Sequence, residues 1–433
     1  MEKRTVLCIF PESPVNSNEM KVLIIACFGH FVCHYNITVF PALVVPLAER
    51  LHWSVGQVVE LSFLQFLLFG LGALPWGMLG DRFGARPLIV LMLLGCAFSS
   101  LVAAFTIESP GIFYLALGGI GLFSGIYHPV GMGMISLTMG RVNLAMAYNA
   151  IFGGLGMVVA PILTGGMNYF WGPRSAYVFV GILNFTGLAV MALLGSVENR
   201  PSGKQDIESA EGLKLEFGIM LAAMTFAGIV TTGSTVILPA FLELKSSDLT
   251  SMISHIVPFS TSANLTATAI ASMVYLVGIG GQFAGGITGD RYEPKWVYFG
   301  FYFACIPLAL FMAYTQGPTL AVLSGVYFFF LLGTQSVENT VTASLTPKSL
   351  RHSAFGLKYI LYFGVGAFSV KLVSFVSTSW GIEAVFVSLG LITGLILLTM
   401  LWLIYLMRPV RIQTQQSLLE VRPMEDMSRS EKN

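Results

Sequence analysis

The chain has 433 residues, 55% of them hydrophobic and only 10% charged, and its formal net charge is +1. A soluble domain carries roughly 25% charged residues, so this composition excludes a water-covered globule and points to a lipid bilayer. The balanced charge gives no basis for a nucleic-acid partner. The five cysteines (Cys8, Cys27, Cys33, Cys96 and Cys305) show no disulfide or metal-knuckle spacing. Four of them fall in apolar segments and read as small buried hydrophobes.

A membrane-spanning helix needs about 20 mostly apolar residues. Twelve segments qualify, taken here as spans 1 to 12: 21–46, 55–78, 87–107, 111–138, 144–170, 175–196, 215–241, 264–287, 296–315, 319–345, 354–378 and 382–407. The polar, proline-containing first 20 residues and the absence of a small-residue cleavage site argue against a cleavable leader. A polar stretch with Pro201, Ser202 and Gly203 separates spans 6 and 7. The division is therefore a first six-helix unit at 1–196, a linker at 197–214, a second unit at 215–407 and a polar tail at 408–433. Residues 242–263, with Ser/Thr clusters, His255 and Pro258, read as a surface loop with room for a short interfacial helix.

One motif occurs twice. Gly77-Met-Leu-Gly-Asp81-Arg82-Phe-Gly84-Ala-Arg86-Pro87 follows span 2, and Gly286-Ile-Thr-Gly-Asp290-Arg291-Tyr-Glu293-Pro-Lys295 follows span 8. Both read G-x-x-G-D-R with a cation four residues after the Arg. The offset of 209 residues between Asp81 and Asp290 is close to half the chain and implies two homologous halves. Placing the N-terminus inside puts 19 of the 23 Lys and Arg in inside segments. Only Arg50, Arg174 and Lys245 fall in outside loops, and Lys371 lies within span 11. That asymmetry predicts cytoplasmic termini and cytoplasmic G-D-R turns.

Twelve spans, a central linker and the repeated Gly-Asp-Arg turn resemble the major facilitator superfamily. The resemblance implies an all-α fold of two pseudo-symmetric six-helix bundles around a cavity lined mainly by spans 1, 4, 7 and 10. It also implies alternating access by rocking of one bundle against the other. It assigns Asp81, Arg82, Arg86, Asp290 and Arg291 to a cytoplasmic gate, weaker in the second copy because Glu293 stands where the first has Gly84. In span 5, Gly153-Gly-Leu-Gly156 followed by Pro161 and Gly165-Gly166 partly resembles the antiporter motif of the superfamily. Small residues there also suffice for close helix packing. Leu115 stands where drug/proton antiporters of the superfamily place an Arg in span 4. Gly125-Ile-Tyr127-His128-Pro129, with an early His in span 1, resembles the fosmidomycin-resistance branch.

Ionisable groups within spans are costly and mark function by default. His30 and His34 are four residues apart on one face of span 1, and His128 lies near the middle of span 4. Glu338 in span 10 has Gln335 and Asn339 beside it. An offset of 210 residues matches Gly154 with Gly364 and pairs His128 with Glu338. The expected substrate or proton site is therefore His34, His128 and Glu338, with His30, Gln335, Asn339 and Tyr127 around it. Asn149, Tyr359 and the span 7 hydroxyls from Thr225 to Thr235 are weaker candidates, and Lys358 reads equally as a topogenic charge near the end of span 11. Glu60 and Lys371 lie at similar depths in spans 2 and 11, within about five to seven residues of the outer ends. They are expected to pair as an outer gate, because a lone intramembrane Lys is costly.

No nucleotide-binding loop or catalytic triad is visible, so no enzymatic activity and no cofactor are expected. The leading reading is a monomeric secondary transporter of a small solute in a bacterial inner membrane or a membrane derived from it, exporting a small organic or anionic compound in exchange for protons. Two alternatives stay open. One is transport of iron, another transition metal or its chelate, for which His30, His34, His128 and Glu338 offer suitable donors. The other is a transporter-like sensor or membrane assembly scaffold.

Overall fold

Pro75, Pro129 and Gly84 dictate where the long apolar helices bend or stop. The computed structural model describes residues 16–195, 215–256, 262–345 and 357–407, and among these there are helices and no strands. The linker 197–214, the tail 408–433, Lys348 and Arg351 lie outside the described residues. Eleven helices are long and apolar enough to cross a membrane, or twelve when the bent pair Val55–Leu71 and Ala73–Phe83 counts as one span.

Several spans are interrupted where the sequence suggests one continuous helix. Span 1 comprises Ser17–Thr38, a 3-10 turn at Pro41–Leu43 and Val44–Leu51. It stops at His52, whose left-handed backbone (φ 57°) closes the helix. Span 2 bends by 43° at Gly72. Pro75, three residues on, has no amide to give the preceding turn. Span 4 breaks between Pro110–Ser124 and Tyr127–Thr138. Pro129 leaves the Gly125 carbonyl without its i+4 amide. Span 11 contains a π-helical stretch, Ile360–Val365, after helical residues 357–359 and before Phe368–Trp380. Such wide turns commonly accompany functional sites. The loop expected at 242–263 is shorter than its sequence suggests. Span 7 runs from Leu215 to Lys245, and a separate helix Ser247–Ile256 follows; 257–261 lie outside the described residues.

The two G-D-R motifs differ in the way their helices end. The first helix runs through Asp81 and Arg82 to Phe83, and the turn is the single residue Gly84 at φ 82°, ψ 164°. That conformation is essentially reserved for glycine. In the second copy the helix ends at Arg291, Glu293 is extended at φ −58°, and Pro294 starts span 9. A proline at the first helical position replaces the positive-φ turn, so Glu293 is tolerated where Gly84 is required.

The main helix pairings run within each half: span 1 with 5, 3 with 6, 8 with 10, and 9 with 12. Between the halves, span 5 packs on 8 and span 2 packs on 11. The packed interior is aromatic-rich, with Tyr35, Tyr127, Tyr298, Tyr302, Tyr327 and Phe328 fully buried.

Candidate functional site

Two polar clusters meet where spans 1 and 4 of the first half face spans 10 and 11 of the second. The first is built from histidines. One helical turn separates His30 from His34, and the break in span 4 brings His128 against both. The three imidazoles form a near-regular triangle, with ring centroids 4.8 Å (His30–His34), 5.3 Å (His30–His128) and 5.3 Å (His34–His128) apart. Their ligating atoms all lie within 4.8 Å of one another.

With neutral rings, hydrogen bonding selects the tautomers of His30 and His34. His30 Nδ1 lies 2.8 Å from the Asn149 carbonyl. A carbonyl only accepts, so His30 donates from Nδ1, and in the neutral ring Nε2 keeps its lone pair. His34 Nε2, 3.1 Å away, then donates to His30 Nε2. His128 Nε2 is buried and makes no hydrogen bond. Tyr127 stacks on His30 at 4.8 Å and donates its hydroxyl to the Ala26 carbonyl (2.8 Å), with the Asn149 side chain in contact. Span 5 leaves room for this: a Cβ on Gly153 would lie 2.5 Å from the His30 ring.

The second cluster is a buried ion pair. Lys358 Nζ lies 2.8 Å from Glu338 Oε1, with side chains 6% and 1% exposed. Lys358 also donates to Asn339 Oδ1 at 2.5 Å, and the Tyr298 hydroxyl donates to Glu338 Oε2 at 3.1 Å. The two clusters do not merge. His128 stands against Tyr359 (5.8 Å) and Phe363 (5.7 Å) rather than Glu338, and Lys358 lies 5.9 Å from the same Tyr359 ring. Tyr359 is therefore the bridge between the histidines and the ion pair. Gln335 accepts from Gln282 Nε2 at 3.0 Å.

Sequence reasoning undervalued Lys358 because proximity to a span end gave it a topogenic explanation. Its burial and its partners could not be read from spacing. Thr225 and Thr235 donate to carbonyls of their own helix, Leu221 and Thr231, whereas Thr231 contacts the Tyr362 hydroxyl at 2.9 Å and Ser234 the Tyr327 hydroxyl at 2.9 Å.

On the side opposite the G-D-R motifs, the halves are in close contact. Lys371 forms an ion pair with Glu60, Ser374 donates to the same carboxylate at 3.3 Å, and the ammonium lies 4.9 Å from the Phe63 ring. A second knot involves spans 5 and 8. The Asn264 amide lies within hydrogen-bond distance of Glu243 Oε2 (2.8 Å) and the Ala42 carbonyl (2.9 Å), and its Oδ1 accepts from Asn168 (3.0 Å). It joins spans 1, 5, 7 and 8 and borders a polar cleft of about 420 Å³ with Glu49 and Arg50. Sequence reading missed this knot. Its signal was faint: single Asn and Glu residues at the ends of spans 5, 7 and 8.

The motif side is arranged differently. Asp81, Arg82, Asp290 and Arg291 are exposed. Asp81 and Arg82 line a groove of about 300 Å³ whose other walls, including Pro129, Gly133 and Leu137, all belong to the first half. Arg86 donates to the Gly195 and Met191 carbonyls at the end of span 6, also within the first half. A cation at a helix C-terminus stabilises it.

Comparison with known proteins gives the same architecture. The family model for the Major Facilitator Superfamily matches residues 26–370. The tetracycline resistance protein, class B, of Escherichia coli is 31% identical over 152 residues, covering 33% of this chain; the chain spans about a third of that relative, 35% of its length. The multi-drug resistance efflux pump PmrA of Streptococcus pneumoniae is 21% identical over 392 residues, covering 85% of this chain and 92% of the pump. Among solved structures, a bacterial homolog to the human lysosomal transporter Spinster, inward-facing and unoccupied, superposes with a TM-score of 0.70 at 14% identity, over 89% of this chain and 97% of that one.

Proposed function

Because this chain belongs to the Major Facilitator Superfamily, we propose that it is a proton-coupled secondary transporter that exports a small solute by alternating access. The observation that carries the reading is the buried Glu338–Lys358 pair at the meeting of the halves. Taking charges into a membrane interior is costly, and such groups persist where they handle substrate or protons.

The mechanism follows from the geometry. At rest, Lys358 occupies the Glu338 carboxylate. A proton on Glu338 releases the ammonium beside Tyr359, which faces the histidines, and solute bound there favours the intact pair. Exclusion of one by the other links inward proton movement to outward solute movement. Tyr359 contacts both His128 and the Lys358 ammonium, so a change at Glu338 reaches the histidine cluster.

The gates define the cycle. Positive charge concentrated in the motif-side segments supports a cytoplasmic location for the G-D-R turns and both termini. In that orientation the closed Glu60–Lys371 and Asn168–Asn264 contacts lie outside, and the exposed Asp81, Arg82, Asp290 and Arg291 lie inside. This is an inward-open state. On closing, these four residues and Arg86 latch the cytoplasmic ends, while the outer contacts separate. Gly125-Ile-Tyr-His128-Pro129 supports placement in the fosmidomycin-resistance branch, and a bacterial inner membrane is the expected location.

The test is reconstitution in proteoliposomes loaded with a pH-sensitive dye and challenged with a panel of organic ions, tetracycline and divalent metals. At least one solute should drive proton movement, and Glu338→Gln should abolish it. Unchanged exchange in the folded Glu338→Gln protein would refute the coupling.

A further inference from the structure

We infer that His30, His34 and His128 form a binding site for a divalent late first-row transition-metal ion, of the zinc or cobalt type, and that such an ion is the cargo class. The cargo assignment rests on the transport reading above; the binding site does not.

Four observations converge. Among the described residues, this is the one group of three or more His, Cys, Asp or Glu side chains whose donor atoms come together. His30 is held in the tautomer a ligand needs: its Nδ1–H is spent on the Asn149 carbonyl, leaving the Nε2 lone pair aimed at His34. Donation of the second ring nitrogen to a backbone carbonyl is the usual support for a metal-binding histidine. His128 Nε2 is buried without a hydrogen-bond partner. A trio that existed only for helix packing would leave that desolvated nitrogen uncompensated. Finally, Gly153 supplies the space in which the His30 ring sits.

The distances suit capture. Zinc–nitrogen bonds are about 2.0–2.1 Å. His30 and His34 already lie 3.1 Å apart through Nε2, and all three donor atoms fall within 4.8 Å. Transfer of the His34 proton from Nε2 to Nδ1 frees its lone pair, and small side-chain rotations then close the triangle on one ion. His34 and His128 are only partly buried, so the trio is not fully sealed. Three neutral imidazoles suit borderline metals and give little to magnesium or calcium, which require oxygen ligands. Among the described residues no carboxylate joins the triangle, so the ion keeps its charge and is held less tightly than in a charge-neutralised cage. Tyr359 and Phe363 of the second half cover His128. Re-packing of span 11 would therefore uncover or close the site.

The experiment uses the purified full-length chain in detergent. Calorimetric titration with Zn²⁺ should give one ion per chain, and Co²⁺ should develop the visible absorption of a low-coordinate nitrogen-ligated ion. Mg²⁺ should give no heat. His34→Ala and His128→Ala should each weaken Zn²⁺ binding at least 100-fold, with size-exclusion elution unchanged. His128→Cys keeps a ligating atom. It should retain Co²⁺ and add sulfur-to-cobalt charge-transfer absorption, which decides the matter even where an alanine variant does not fold. Absence of stoichiometric Zn²⁺ binding to the folded wild type, or undiminished binding in both alanine variants, would overturn the site. Proton exchange with another solute by a chain that binds no Zn²⁺ would overturn the metal assignment and leave the transport reading standing. Stoichiometric Zn²⁺ binding by a chain that exchanges protons with no solute would support the site and overturn the transport reading.

Discussion

The Glu338–Lys358 pair allows a quantitative prediction. Both side chains are almost fully withdrawn from solvent, so removing one partner leaves an uncompensated buried charge, which costs about 3–5 kcal/mol. Lys358→Met leaves the Glu338 carboxylate with the Tyr298 hydroxyl. Glu338→Leu leaves the ammonium with Asn339. Each retained bond to a charged group is worth about 1.5–3 kcal/mol, so the observed losses should fall toward the lower end of that range. The double variant Glu338→Leu/Lys358→Met removes both charges. Apolar replacement of a buried pair is often neutral or stabilising by about 1–4 kcal/mol, so the double should be at least as stable as the better single. The assay is denaturation of the purified chain in detergent, run as a double-mutant cycle. Single losses below about 1 kcal/mol, or strictly additive losses, would refute the claim that these groups are paired and desolvated.

Two further predictions concern the gates and the first G-D-R turn. The Glu60–Lys371 side chains are 46% and 45% exposed, so neutralising either should change stability by at most about 1 kcal/mol. It should still shift the chain toward an outward-open state, by up to about fivefold in population. Labelling of a cysteine introduced beside the pair should rise in each single variant and fall back in the double; equal labelling throughout would count against a gate. At the first turn, Gly84→Ala places a side chain at φ 82° and should cost about 1–3 kcal/mol, whereas Glu293→Ala in the second copy should cost little. Equal thermal shifts for the two would contradict the assignment of different turn geometries.

The sequence revealed much of the architecture, because the bilayer imposes its own arithmetic. Apolar length gave the spans, and the repeated Gly-Asp-Arg turns gave the halves. It also singled out His30, His34, His128 and Glu338, since few ionisable residues occur within the spans. What it could not supply was their grouping. A half-chain offset relates His128 to Glu338 by symmetry, but symmetry-related positions need not touch, and Tyr359 stands between the two clusters. The breaks in spans 2, 4 and 11 also escaped it. Hydropathy responds to apolar length and is blind to a proline that bends a helix without lowering its apolar content. Lys358 illustrates the same limit: depth along a span is countable, whereas the direction a side chain faces depends on the π-helical stretch that follows it.

Proton movement driven by a solute is the most direct test of the account. Proteoliposomes containing the chain and an internal pH-sensitive dye would be exposed to external Zn²⁺, alongside liposomes containing Glu338→Gln and liposomes without protein. The wild type should give a dye response that neither control gives. Equal responses in the wild type and Glu338→Gln would contradict it.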